Sequence, residues 1–105
     1  MKLTLKVSNE DKIFTAPFVS GRHFRKLAEF DETMDYSKVG VEEMDVLVGF
    51  VCEVFNNQFD IDTFYDGIPA HEVISTIMDV FVYVRTGKTS EELSESLEEG
   101  NEQGE

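Results

Sequence analysis

The sequence contains few basic residues, one cysteine and no tryptophan. Of its 105 residues, 9 are lysine or arginine and 22 are aspartate or glutamate, which gives a formal net charge of −13. A surface this anionic repels nucleic acid and acidic membranes, so we expect neither as a partner. Cys52 is the lone cysteine, which excludes an internal disulfide and fits a reducing compartment.

Long hydrophobic runs are also missing. The N-terminal residues alternate between apolar and polar, and no stretch approaches the roughly 18 apolar residues that cross a bilayer. We therefore expect a cytoplasmic protein with no export signal and no membrane span.

The composition is nonetheless globular, with 41% hydrophobic residues and nine phenylalanines. We predict a single globular domain over residues 1–87. Residues 88–105 hold Lys88 and seven glutamates, and Leu93 and Leu97 are their only large apolar residues. That is too little to stabilise a packed element, so we predict a disordered acidic tail.

Hydrophobic periodicity predicts the elements of the domain. Residues 2–7 alternate and residues 12–16 return, as in a β-hairpin with a loop of four or five residues. Apolar positions at helical spacing then predict four helices. They cover about residues 20–35, 42–56, 61–66 and 69–86. The predicted fold class is α+β: an N-terminal β-hairpin, four α-helices of which one is short, and a disordered acidic C-terminal tail.

The segment "NNQFDIDTFYDGI", residues 56–68, is rich in aspartate, which raises the question of a calcium loop. An EF-hand loop requires glycine at its sixth position and glutamate at its twelfth. A loop starting at Asp60 places Tyr65 and His71 there, and one starting at Asp62 places Val73 at the twelfth position. Neither register fits.

Helix punctuation explains the same segment better. Asp60 is suited to cap the short helix, since its carboxylate can accept a backbone N–H of the first turn. Phe59 and Phe64 have the spacing of a hydrophobic staple across that cap. Gly67 is predicted to end the helix in the left-handed conformation. These residues are interpreted as structural.

The sequence offers little for catalysis. His23 and His71 lie on different predicted helices, and no histidine follows His71 at the spacing of a zinc protease helix. Cys52 lies in an apolar helix, where thiols are usually inert. We predict no catalytic residue, no metal and no cofactor. The basic cluster Arg22–Lys26 is interpreted as a solvated helix face, with docking of an acidic partner as the alternative.

The second and fourth predicted helices are apolar over a wide arc, wider than a hairpin and one amphipathic helix can cover. Each large apolar side chain left in water forgoes about 1.5–3 kcal/mol. We therefore predict that these helices contact a partner or further copies of the chain. The predicted surface comprises Val46, Phe50, Val54, Met78 and Val82.

Three stretches together resemble a known family. They are the hairpin "MKLTLKV…KIFTAP", the segment "VFNNQFDIDTFYDGI" and the helix "VISTIMDVFVYVRTG". Residues 1–87 are similar, in this layout, to the tail assembly chaperones of long-tailed phages and prophages of Gram-positive bacteria.

The resemblance implies a non-enzymatic role in the host cytoplasm. Such proteins coat the tape measure protein and help the tail tube protein to polymerise around it. They associate with themselves and often with a longer form of the same chain, made by a programmed frameshift. This chain would be the shorter form.

A second reading comes from another class: an acidic protein that mimics DNA and inhibits a host nuclease or restriction system. It predicts rows of carboxylates on the folded surface, whereas nearly half of the excess charge here lies after residue 87. A small enzyme or metal protein is a third and weaker reading.

Overall fold

A computed structural model describes residues 1–89 and 91–94 of the chain. It begins with two antiparallel strands, β1 (Lys2–Val7) and β2 (Glu10–Thr15). The α-helices that follow are α1 (Gly21–Thr33), α2 (Val41–Val54), α3 (Ile61–Gly67) and α4 (Val73–Thr86). Short 3₁₀ turns precede α2 and α4, at Tyr36–Lys38 and Ala70–Glu72. The predicted α+β fold, a hairpin followed by helices, is confirmed.

The hairpin turns more tightly than the sequence indicated. Val7 pairs with Glu10, so the loop has two residues in place of the predicted four or five. Ser8 and Asn9 both have positive φ, 53° and 66°. This is the backbone of a type I′ turn, whose twist matches that of the flanking strands. Asparagine tolerates the left-handed region, so the turn forms without glycine.

The core lies beneath the hairpin and between the helices. Leu3, Leu5 and Phe14 face inwards from the strands and are buried. Under the hairpin, the rings of Phe14 and Phe59 meet edge to face with centroids 4.9 Å apart. Edge-to-face pairs of this kind each add about 0.5–1.5 kcal/mol to the burial energy. The hairpin is thereby held on the helical layer, which it needs because an isolated hairpin is only marginally stable.

A second aromatic group joins the three long helices. Phe50 on α2 has its ring centroid 5.5 Å from that of Phe30 on α1 and 5.8 Å from that of Phe81 on α4. Both contacts are edge to face, and Phe50 is 1% exposed. Helix α2 is therefore the central helix of the described structure.

The start of α3 has the cap geometry that its sequence suggests. The Asp60 carboxylate accepts the Thr63 N–H at 2.8 Å, and this hydrogen bond lowers the pKa of Asp60. The rings of Phe59 and Phe64 stack with centroids 6.3 Å apart across the cap.

The end of α3 differs from the prediction that Gly67 adopts the left-handed conformation. Gly67 is the last helical residue, and among the described glycines positive φ is found at Gly87 instead. Glycine is needed at position 67 for a different reason. A Cβ there would lie 2.8 Å from the carbonyl oxygen of Lys6, because β1 crosses the helix at this point.

Helix α4 starts later than predicted, after the 3₁₀ turn that follows Pro69, and ends at Gly87 with φ 75°. Residues 91–94 then form a helical turn. Thr89 Oγ1 accepts a hydrogen bond from the Glu92 N–H of this turn at 3.2 Å. The predicted disordered tail, residues 88–105, lies mostly outside the described residues.

No single helix in the described ranges is long and apolar enough to cross a membrane. Helix α3 and the segment Ala70–Thr86 meet the length and composition test only as a pair, and they are bent by 117°.

Candidate interaction surface

An exposed apolar stripe runs along one flank of α4. Ile74 is 50% exposed and Met78 is 36% exposed, and Val82 continues the stripe with a partly exposed side chain. The three residues are spaced four apart, so they lie one above the other on the helix surface. The adjacent side of α4 carries the buried residues. Two of the predicted surface residues, Met78 and Val82, thus lie on one continuous flank.

Helix α2 contributes less to the surface than the sequence predicted. Val46 is 49% exposed, but Phe50 and Val54 are 1% and 0% exposed. The Phe50 ring lies between α1 and α4, so its side chain and that of Val54 are not offered to a partner. The periodicity correctly places these residues on apolar faces, but it does not reveal that other helices of the same subunit cover them.

Helix α1, which contacts α4, also exposes apolar side chains. Phe24 is 54% exposed. With Ala28 it lines a cavity of about 140 Å³ whose other wall includes Arg85, one turn beyond Val82. We call the surface formed by Phe24, Ala28, Ile74, Met78 and Val82 the α1–α4 face.

A polar network fixes the two helices that form this face. The Arg85 guanidinium donates to Asp31 Oδ1 at 2.8 Å, and the Tyr36 hydroxyl donates to the same oxygen at 2.7 Å. Desolvation, together with the hydrogen bond to Asp31, raises the pKa of Tyr36. All three partners are at least partly exposed, so the network contributes orientation more than stability.

A second, more polar cavity of about 350 Å³ lies between α2 and α3. Ile61 packs over Gly49 there, with its Cδ1 3.8 Å from where a glycine Cβ would be. Carboxylates of Glu53, Asp60 and Asp62 surround it. Glu53 is also bonded to Lys26 at 3.0 Å. This site is acidic, whereas the α1–α4 face is apolar.

The basic cluster Arg22–Lys26 is partly used within the subunit. Arg25 bonds Glu29 one turn later at 2.8 Å, and Lys26 reaches Glu53 on α2. Exposed ion pairs of this type contribute about 0–1 kcal/mol each. Their presence fits the interpretation of the cluster as a solvated helix face.

Among the described residues, the side chains that could take part in catalysis or bind a metal have structural roles. Nδ1 of His23 accepts the Ser20 N–H at 3.2 Å at the start of α1. Cys52 is 4% exposed, and burial raises the pKa of its thiol to about 11. Within residues 1–89 and 91–94, no group of three histidine, cysteine or acidic side chains is placed to hold a metal ion.

Comparison with known proteins places this surface in context. The chain matches, over residues 1–101, a family described as "phage tail chaperone protein". The chain belongs to the phage tail chaperone family. The predicted resemblance is thereby confirmed and extends beyond residue 87. No curated protein and no solved structure matches the chain.

Family membership defines the general role of the chain. A phage tail chaperone acts in tail assembly and interacts with tail proteins, and membership of a chaperone family suggests a non-enzymatic role. For such a role, an exposed apolar face is a more informative feature than a catalytic cleft. The α1–α4 face is therefore the candidate functional site of this tail chaperone.

Three contributors to the face, Phe24, Ala28 and Ile74, are not among the predicted surface residues. Ile74 lies four residues before Met78, and that spacing alone would have placed it on the same flank. Phe24 and Ala28 lie on α1, and their exposure depends on how far α4 covers that helix, which periodicity does not show. Ile74 could therefore be found from the sequence, whereas Phe24 and Ala28 could not.

Proposed function

We propose that this tail chaperone binds apolar helical segments of the tape measure protein through the α1–α4 face. In this proposal it keeps the tape measure soluble in the host cytoplasm while the tail tube protein polymerises around it. It also associates with copies of itself and with a longer, frameshifted form of the same chain.

The observation that carries the proposal is the apolar stripe on α4. Ile74, Met78 and Val82 offer side chains at a spacing that suits a helical client, which presents its own apolar residues every three or four positions. Ile74 and Met78 are each about half as exposed as a free side chain or less, so covering each one yields on the order of 1 kcal/mol. Phe24, exposed on the neighbouring helix α1, adds a further apolar side chain that a client can cover.

The charge of the chaperone suits such a client. A net charge of −13 keeps a complex with an aggregation-prone apolar protein soluble through mutual repulsion between copies. The DNA-mimic alternative gains no comparable support. Three of the carboxylates it would need on the folded surface are bonded to cations instead, those of Glu29, Asp31 and Glu53.

The test is co-expression of the chaperone with segments of the tape measure protein encoded in the same phage genome. We expect the wild-type chaperone to keep apolar segments soluble and to co-purify with them. The double variant Ile74→Ser/Met78→Ser should bind at least about tenfold more weakly, since it loses on the order of 1 kcal/mol at each position.

Val41→Ser is the matched control. Val41 is 77% exposed at the start of α2, away from the α1–α4 face, so its replacement makes the same kind of change elsewhere. Its affinity should stay within about twofold of the wild type. Equal binding by the double variant and the wild type, or no binding by the wild type, contradicts the proposal.

A further inference from the structure

The two edges of the hairpin differ in their hydrogen bonding. The Ala16 N–H donates to the Met1 carbonyl at 2.9 Å, which fixes the phase of the antiparallel ladder. Because hydrogen-bonded pairs alternate along such a ladder, Leu3 pairs in this way with Phe14, and Leu5 with Lys12. The alternate residues of β2 direct their backbone N–H and C=O groups away from β1. These residues are Asp11, Ile13 and Thr15.

The outer edge of β1 is covered within the subunit. Helix α3 packs against this strand, and Gly67 approaches the Lys6 backbone so closely that a Cβ would lie 2.8 Å from its carbonyl oxygen. No strand can pair at that point. The fold thus covers this edge with a helix at Lys6, and covering an edge in this way is a common means of preventing unwanted pairing.

The outer edge of β2 has no such cover among the residues that the structure describes. Gln58 Nε2 donates to the Thr15 carbonyl at 2.9 Å at one end. No described helix packs along the rest of the strand as α3 does along β1. Ile13, at the centre of the edge, is 63% exposed. An open strand edge with an exposed isoleucine at its centre is a template for pairing with another strand.

We propose that β2 pairs antiparallel with β2 of a second copy, about a two-fold axis at Ile13. Each Ile13 then exchanges backbone hydrogen bonds with the other Ile13. Each Thr15 N–H donates to the Asp11 carbonyl of the other copy, while the Thr15 carbonyl keeps its hydrogen bond from Gln58 within the subunit. The result is a continuous four-stranded sheet. The interface is self-complementary, as a two-fold dimer requires.

Charge disfavours the registers centred on the two residues before Ile13. With the axis at Asp11, two carboxylates face each other directly, and with the axis at Lys12, two ammonium groups do. Like charges directly opposite across a ladder are destabilising. With the axis at Ile13, Asp11 faces threonine, Lys12 faces Phe14, and the two isoleucines cover each other. This register also uses all three outward-facing residues of the edge.

In this dimer the copies associate through β2, so the α1–α4 face stays free for a client. The inference rests on the proposed function only in assuming that copies associate. The contact lies on the hairpin, whereas Ile74 and Met78 lie on α4, so variants of the two surfaces separate the two proposals.

Sedimentation equilibrium of the full chain over a concentration series tests the edge. Ile13→Lys places two ammonium groups on the axis and removes the isoleucine pair, and should raise the dimer Kd at least about tenfold. Thr4→Lys is the matched control, because Thr4 is the cross-strand neighbour of Ile13 on the same exposed face but lies on the other strand. It should change the Kd by no more than about twofold.

Cross-linking gives an independent measurement. Hydrogen-bonded antiparallel partners have Cα atoms about 5.5 Å apart, within the range that a disulfide spans. In a Cys52→Ala background, Ile13→Cys should form an oxidised dimer at least about tenfold faster than Thr4→Cys, because only the former places two thiols on the axis.

Four results would decide against one or the other proposal. A wild-type chain that stays monomeric throughout the series, or equal behaviour of the Ile13 and Thr4 variants, overturns the edge pairing. A dimer broken by Ile74→Ser/Met78→Ser but not by Ile13→Lys assigns the contact to the helices instead. A dimer broken by Ile13→Lys in a chain that binds no tape measure segment upholds the pairing and overturns the client proposal.

Discussion

Helices α2 and α4 have the same length, and their sequences predict the same wide apolar arc, yet the fold treats them differently. Six residues of α2 are buried: Leu47, Val48, Phe50, Val51, Cys52 and Val54. Four residues of α4 are buried, and its outer flank leaves Ile74 and Met78 in water. The difference teaches that the width of an apolar arc measures what a helix can bury. Which part stays open is decided by the neighbouring elements.

The contrast follows from position. The Phe50 ring of α2 has aromatic neighbours on both α1 and α4, so α2 is enclosed from two sides. Helix α4 contacts α1 and α2, and its flank with Ile74 and Met78 stays exposed. The central helix serves stability and the peripheral helix is left with apolar surface to spare. That division is the physical basis for placing function on α4.

The largest expected effect comes from comparing one substitution in α2 with one in α4. Phe50→Ala should lower the free energy of unfolding by about 3–5 kcal/mol, since it removes a buried ring and leaves a cavity between three helices. Met78→Ala should change it by no more than about 1 kcal/mol, because Met78 is 36% exposed and alanine is a good helix former. Urea denaturation of both variants measures the difference.

Val46→Ala is the control for helix identity, because Val46 lies on α2 but is 49% exposed. It should behave like Met78→Ala, with a change of no more than about 1 kcal/mol. Similar losses for Phe50→Ala and Met78→Ala would break the comparison. They would mean that the flank of α4 is covered as well as the core of α2.

Local signals in the sequence were sufficient for much of the fold. The alternation of β1, the Asp60 cap, the spacing of Phe59 and Phe64, and the glycine that ends α4 each depend on residues close together in the chain. Tertiary contacts were not accessible in the same way. The burial of Phe50 and Val54 depends on other helices, so periodicity could assign their face but not their exposure.

Gly67 illustrates the same limit. Its local sequence, a glycine before Ile68 and Pro69 at the end of a short helix, is typical of a left-handed helix end. The actual requirement comes from Lys6, far away in the chain, whose backbone passes too close for a side chain. A single sequence contains no signal for that approach.

The second test contrasts this glycine with the glycine on the open edge of α2. Gly67→Ala should destabilise the protein by about 1–3 kcal/mol, because the new Cβ meets backbone atoms that cannot rotate away. Gly49→Ala should stabilise it by up to about 1 kcal/mol. At position 49 the nearest atom to a Cβ is Ile61 Cδ1, at an ordinary contact distance of 3.8 Å. Thermal unfolding of both variants measures the two effects.

Changes of opposite sign in stability for Gly67→Ala and Gly49→Ala would sharpen the distinction between the enclosed and the open side of the subunit. Destabilisation by Gly49→Ala would mean that the cavity between α2 and α3 is tighter than the structure indicates. If Gly67→Ala leaves the stability unchanged, β1 can move away from α3. The covered edge of the hairpin would then not be held firmly against this helix.

The smallest expected effect uses Cys52 to report on the enclosure of α2. Burial raises the pKa of this thiol from its ordinary value of 9.0 to about 11, so between these values the unfolded chain loses a proton that the folded chain retains. The unfolded state is therefore favoured as the pH rises, and the free energy of unfolding should fall by about 1 kcal/mol by pH 10.

Cys52→Ala removes this contribution. The packing cost of the substitution does not depend on pH, so it cancels when the free energies of unfolding of each protein at pH 8 and pH 10 are subtracted. Urea denaturation should thus show a smaller loss between the two pH values for Cys52→Ala than for the wild type. Equal losses would indicate that the thiol ionises in the folded chain, and hence that α2 is open to water on this side.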